Sequence, residues 1–217
     1  MKKLWKNNLT IYTACMMVIG LLFLNVQEVA AHEAYYSNGV GVPLRWAHVD
    51  NTICYVKIST YNLSEDYTPY YNDVIYAWPN ASARVSVTPT TFAESNIDLV
   101  TPTEAAWREM FPGDAAFVKG STERTSTDGV KINSAATASA SSGFIDYASC
   151  LFTPLGGYTS TTQKKGTMVH ELGHALGLGH SNMDYPSDDP SIMRWGTIEN
   201  YWTPQTHDIN DLDSFYY

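Results

Sequence analysis

Eleven residues constrain this chain more than all the others. Residues 170–180 read His170-Glu171-Leu172-Gly173-His174-Ala175-Leu176-Gly177-Leu178-Gly179-His180, that is H-E-x-x-H-x-x-G-x-x-H with all five fixed positions filled. A chance match is expected roughly once in 100,000 chains of this length. His170 and His174 are four apart, and on a helix that spacing puts both side chains on one face, one turn apart. Two imidazoles so placed grip one zinc ion at about 2.0–2.1 Å each. Glu171 projects beside them, badly placed as a third ligand but well placed to hold a zinc-activated water and take its proton. Gly177 tolerates positive φ, so the chain can leave the helix in a sharp turn that returns His180 as third ligand. Three protein ligands leave one zinc position open for water, which marks a catalytic rather than a structural site. A helix whose histidines merely pack or face solvent would explain a lone histidine, not this constellation.

The motif and the residues on its C-terminal side resemble the metzincin metallopeptidases, and within them the matrixins. Ser181, directly after the third histidine, is typical of matrixins, and Ser191-Ile192-Met193 looks like the family's Met-turn. The resemblance implies that Met193 lies beneath the metal as a hydrophobic floor. Residues 203–212 are similar to the start of the matrixin C-terminal helix, with Thr203 or Thr206 as the expected cap and Asp208 in the first turn. Matrixins usually carry two adjacent acids there; His207 occupies the first position, and Asp208, at the second, is implied to brace the Met-turn. Upstream, residues 44–46 and 54–58 resemble the first strand. Residues 87–92 and 96–100 resemble the end of the first helix region and the next strand. Residues 130–133 resemble the edge strand that lines the substrate cleft. The likeness spans most of residues 44–217, with its specific motifs confined to residues 170–193.

The implied fold is α+β: a metzincin-like catalytic domain with a twisted mixed sheet, an active-site helix and a C-terminal helix. The implied activity is that of a zinc endopeptidase acting on protein or peptide substrates. One catalytic Zn2+ is held by His170, His174 and His180, and Glu171 is the general base. Several family features are missing. There is no P-R-C-G-x-P-D propeptide sequence, so no cysteine latency switch. Only the scattered His32, His48 and His207 lie outside the motif, which leaves no set for a second, structural zinc. Calcium loops are not recognisable, and Asp184, Asp188 and Asp189 read as a solvated loop rather than a Ca2+ site. Arg194-Trp195-Gly196 follows the Met-turn where matrixins usually have proline, so no cleavage preference carries over. Trp195 also stands where an astacin-like enzyme would have tyrosine.

The first thirty-one residues read as a secretory signal peptide: basic Lys2, Lys3 and Lys6, an apolar run over residues 9–26, and Val29-Ala30-Ala31 before the cut. The apolar run approaches spanning length, so an uncleaved anchor is the competing reading. Residues 32–217 then form a single domain, expected to be secreted, monomeric and free of the membrane once the leader is gone. Loss of the three lysines and Glu28 takes the formal charge from −9 to about −11. So acidic a chain repels nucleic acid and anionic membrane surfaces. Cys54 and Cys150 are the cysteines left, and in an exported protein they form either one disulfide or two buried thiols. The second reading of function is an exported binding protein, such as an adhesin, with a vestigial zinc site. Intact Glu171 and the absence of a fourth protein ligand weigh against it.

Within the domain, residues 50–60 alternate like a strand. Residues 69–78 suit the first long helix, limited by Pro79. Residues 103–110 suit a short helix stopped by Pro112-Gly113. Residues 133–143, rich in Ser and Ala, suit a surface loop. The active-site helix is expected to start near Thr162 or Lys164 and to end near Gly177.

Overall fold

Alternation along one segment sets the sheet. The computed structural model describes residues 45–47, 49–50, 52–81, 84–132, 144–181, 190–194, 196 and 201–216. Two short strands, β1 (Arg45–Trp46) and β2 (Val49–Asp50), lead into β3 (Ile53–Ser59). Cys54, Val56 and Ile58 are buried while Tyr55 and Lys57 are exposed, the period-two pattern of a strand with one face on a core. Then come β4 (Val85–Pro89), β5 (Ile97–Val100), β6 (Gly120–Ser126), β7 (Lys131–Ile132) and β8 (Phe144–Phe152). The order is β4-β3-β5-β8-β6-β7, with β2 added to β3 and β1 to β8. Strands β3, β4, β5 and β8 run parallel; β6 is antiparallel to β8, and β7 is antiparallel in turn to β6. The sheet is therefore mixed, as the α+β expectation required.

The helices are α1 (Tyr71–Ile75), α2 (Ala77–Asn80), α3 (Glu104–Met110), α4 (Thr161–Ala175) and α5 (Thr206–Phe215). Helix α4 lies on one face of the sheet, where Met168, Val169, Leu172 and Ala175 share a core with Val56, Ile58, Leu99 and Ala148. On the other face α3 seats Trp107 against Val100 and Leu151. Thr103 caps α3 by accepting from the Ala106 amide at 3.2 Å, and Ser160 caps α4 by accepting from Gln163 at 3.1 Å.

Four expectations need correction. The helix expected over residues 69–78 is segmented into a 3-10 turn, Thr68–Tyr70, then α1 and α2, with a break at Tyr76. Pro79 explains the break, because its ring would meet the Ile75 carbonyl of a continuous helix and it has no N–H to give. Residues 87–92 do not end a helix region: Val87 sits inside β4, paired with Val56, and a 3-10 turn at Phe92–Glu94 follows. Residues 130–133 form the sheet's outermost strand only in part. Among the described residues Lys131 and Ile132 are strand, and they pair with Thr125 and Arg124 on β6, so residues 120–123 of β6 keep an outer edge that no described strand covers. Finally, Cys54 and Cys150 are free and buried. They lie on β3 and β8 with β5 between them. Burial pushes the Cys54 thiol up to about 12 and the Cys150 thiol up as well, so neither is a ready nucleophile or metal ligand.

Residues 1–31, expected as a leader, residues 133–143, expected as a surface loop, His32, His48, Asp184, Asp188, Asp189 and Trp195 lie outside the described residues. Among the described residues no helix is long and apolar enough to cross a membrane.

Candidate metal centre

Helix α4 ends where the motif places Gly177. Gly177 takes φ 112°, its amide donates to the His174 carbonyl at 3.1 Å, and the Leu178 amide donates to Gly173 at 3.1 Å. That pair of bonds is a Schellman closure, which glycine adopts without strain. The last carbonyls of a helix lack intrahelical donors. Here the sheet and the C-terminal helix supply them. Arg124 Nη1 donates to His174 at 3.0 Å, the Trp46 indole to Ala175 at 2.9 Å and the Tyr216 hydroxyl to Leu176 at 3.0 Å. The helix end is thereby fixed in rotation as well as in position.

On that fixed end the structure brings His170, His174 and His180 together. Their ligand atoms all lie within 4.8 Å of one another, and the three could hold one metal ion. His170 Nδ1 donates to the Ile192 carbonyl at 2.7 Å and His174 Nδ1 to the Leu178 carbonyl at 2.7 Å. A carbonyl only accepts, so each Nδ1 carries the proton and each Nε2 keeps its lone pair for a cation. His174 Nε2 lies 3.2 Å from His180 Nε2. Two nitrogens bound tetrahedrally to one zinc at about 2.0–2.1 Å are separated by about 3.3 Å, so the donor set fits that ion. Burial first, then the neighbouring His170 and His180, holds His174 well below the usual imidazole value and keeps the ring neutral.

Glu171 is 5% exposed, beneath β6. Its Oε2 accepts from Thr122 Oγ1 at 2.7 Å. Burial pushes its carboxyl up to about 7, against the opposing pull of the Thr122 hydroxyl and the Arg124 charge. A carboxyl poised there can take and return a proton near neutrality.

The turn at Ser191-Ile192-Met193 packs against the helix that carries His170 and His174. Ser191, Ile192 and Met193 are buried, and the Ser181 amide donates to the Met193 carbonyl at 3.0 Å. Asp208 is fully buried and gathers the turn. It accepts from Ser191 Oγ at 2.6 Å, from the Ile192 amide at 2.8 Å and from the Met193 amide at 3.4 Å. It also accepts from the Gln205 amide at 2.8 Å, closing a capping box with Gln205. The cap of α5 is therefore Gln205 and neither Thr203 nor Thr206, because the Asp208 carboxylate selects the residue three before it.

Met193 reaches the helix only because position 173 has no side chain. A Cβ on Gly173 would stand 2.3 Å from Met193 Sδ and 2.7 Å from Trp78 Cζ2. Alanine at an ordinary helix position gains about 1 kcal/mol over glycine. We expect Gly173→Ala to invert that sign and to destabilise the protein by about 1–3 kcal/mol, as overpacking does. Urea unfolding of the two proteins measures it, and an unchanged or raised midpoint would show that the floor yields.

Gly120, Thr122 and Arg124 were not legible as site residues. All three lie on β6, where the inward Thr122, Arg124 and Ser126 are polar and give no hydrophobic alternation. The signal available was the β-branched, turn-free run from Ser121 to Ser126, without any indication of what it faces.

Searches against protein-family models and against curated proteins find no match. Among solved structures the chain is similar to one described as the structure of myroilysin, at 14% identity and a TM-score of 0.44, over 79% of this chain and 95% of that one. A likeness that distant assigns no residue roles.

Proposed function

We propose that the protein is a zinc-dependent endopeptidase of the metzincin type, matrixin-like and exported by its leader. The observation that carries this reading is the convergence of three imidazoles, two of them oriented by backbone carbonyls, beside a buried glutamate. His170, His174 and His180 are the metal ligands and Glu171 the catalytic base. Zinc, when bound, supplies a Lewis acid that lowers the pKa of water toward neutrality and stabilises negative charge on a carbonyl oxygen. Glu171 takes a proton from the attacking water and delivers it to the nitrogen of the scissile bond, so the carbonyl carbon gains oxygen as the amine leaves. An extended substrate pairs by main-chain hydrogen bonds with residues 120–123 of β6. Met193 and Asp208 keep the floor and the His170 acceptor in place.

The test is metal content with casein cleavage, on protein purified without chelator. One zinc per chain is expected, with cleavage that chelator abolishes and added Zn2+ restores. Zinc without cleavage of casein or of a peptide library would sink the peptidase and leave the exported binding protein with a vestigial site.

A further inference from the structure

The edge strand does more than face a substrate. Glu171 belongs to α4, but its carboxylate is set by two residues of β6, some fifty positions earlier in the chain. Thr122 is 8% exposed, and its hydroxyl has two acceptors, Glu171 Oε2 at 2.7 Å and the Glu171 carbonyl at 2.9 Å. Both acceptors belong to one residue, so the hydroxyl stays on Glu171 whichever of them takes its proton. Two residues earlier on the same strand, Gly120 leaves the space the rest of the carboxylate fills. A Cβ built there would stand 2.6 Å from Glu171 Cγ and 2.6 Å from Oε1. Gly120 is not among the positive-φ glycines, so its backbone would accept alanine, and the requirement for glycine is one of space.

We propose that Gly120 and Thr122 are positioning residues that seat the Glu171 carboxylate, Thr122 by holding one oxygen and Gly120 by making room for the other. The inference rests on the peptidase reading for its kinetic consequence, though not for the contact itself. The alternate spacing on the strand puts both residues on the α4 side, about 7 Å apart, so that they flank the carboxylate. A catalytic group displaced by about 1 Å loses on the order of 10²-fold in rate, so a seat of this kind acts on turnover more than on substrate affinity.

The experiment uses the full zinc-loaded chain and the variants Thr122→Val, Thr122→Ser and Gly120→Ala. We expect one zinc per chain throughout. Thr122→Val should lower kcat for a peptide substrate by about 10- to 100-fold with KM changed by less than about threefold. Thr122→Ser should recover most of the loss, because it keeps the hydroxyl. Gly120→Ala should lower kcat similarly while leaving the unfolding midpoint near wild type, since the flexible Glu171 side chain yields before the strand does. The second readout is independent of activity. The loss of melting temperature on Thr122→Val should be smaller in a Glu171→Ala background, because the carboxylate acceptor is then gone and only the Glu171 carbonyl remains for the hydroxyl. Thr122→Val and Gly120→Ala both within twofold of wild-type kcat would overturn the proposal. So would an equal melting penalty in the two backgrounds. If the wild type itself cleaves nothing, the peptidase reading fails, and the melting cycle still decides whether Thr122 holds the carboxylate.

Discussion

Glu171→Gln is expected to keep its zinc and lose its turnover, by about 10²- to 10⁴-fold in kcat. Glutamine has the same shape and still accepts from Thr122, whose hydroxyl lies 2.7 Å from Oε2, so the seat and the fold should survive. What disappears is the ability to take a proton. His170 and His174 are unaffected, because their Nδ1 partners are the Ile192 and Leu178 carbonyls and not Glu171. Metal analysis beside a casein or peptide assay measures both halves. Zinc in both proteins with cleavage only in wild type is the expected pattern. Turnover at the wild-type rate in Glu171→Gln would remove Glu171 as base, and loss of zinc would make it a structural member of the site.

Removal of the Asp208 carboxylate should have the largest effect on stability. Four donors converge on it, Ser191 Oγ at 2.6 Å and the amides of Ile192, Gln205 and Met193 at 2.8, 2.8 and 3.4 Å. Asp208→Ala leaves those buried donors without this acceptor, at about 1–3 kcal/mol for each that finds no other. Allowing for relaxation and water entry, we expect a loss of about 3–5 kcal/mol, or about 10 °C in Tm for a domain of this size. The effect should reach the metal as well. Ile192 gives its amide to Asp208 and its carbonyl to His170, so a loosened turn loosens a ligand. Outer-shell partners of this kind are worth about 10- to 100-fold in metal affinity. Zinc titration against a competing chelator, alongside thermal unfolding, checks both effects. Wild-type zinc affinity in a destabilised variant would uncouple the turn from the site.

The parts of this site that could be foreseen are those encoded at short range. An i, i+4 pair of histidines on a helix, a glycine at the helix end and an acid in the first turn of the last helix each fix local geometry, and the structure places His170, His174, His180 and Asp208 accordingly. The parts that could not be foreseen depend on which strand lands where. Register between β6 and α4 is set by tertiary packing, so nothing in the run from Gly120 to Ser126 announces that Thr122 and Arg124 meet Glu171 and His174. The same cause shortened the edge strand. The Val130-Lys131-Ile132 stretch has the β-branched residues of a strand, but Lys131 and Ile132 spend their pairing on the far part of β6. Tyr76 shows a different failure, a helical pattern correctly seen but broken by a proline placed within its first turn and not beyond its end. Cys54 and Cys150 show that two cysteines in one chain need not pair, because the sheet holds another strand between them.

The outer edge of β6 that no described strand covers has a cost outside chemistry. A strand ready to accept an extended peptide is equally ready to accept the same strand from another copy, and such edges nucleate aggregation. Here the hazard is contained by brevity and charge. The open stretch is only residues 120–123, it begins with a glycine that pairs weakly, and it ends beside the ion pair of Glu123 with Lys131 at 3.9 Å. Glu123 is therefore placed as a gatekeeper for colloidal stability, and the solubility of the protein at high concentration is tied to the same few residues that leave this strand edge open.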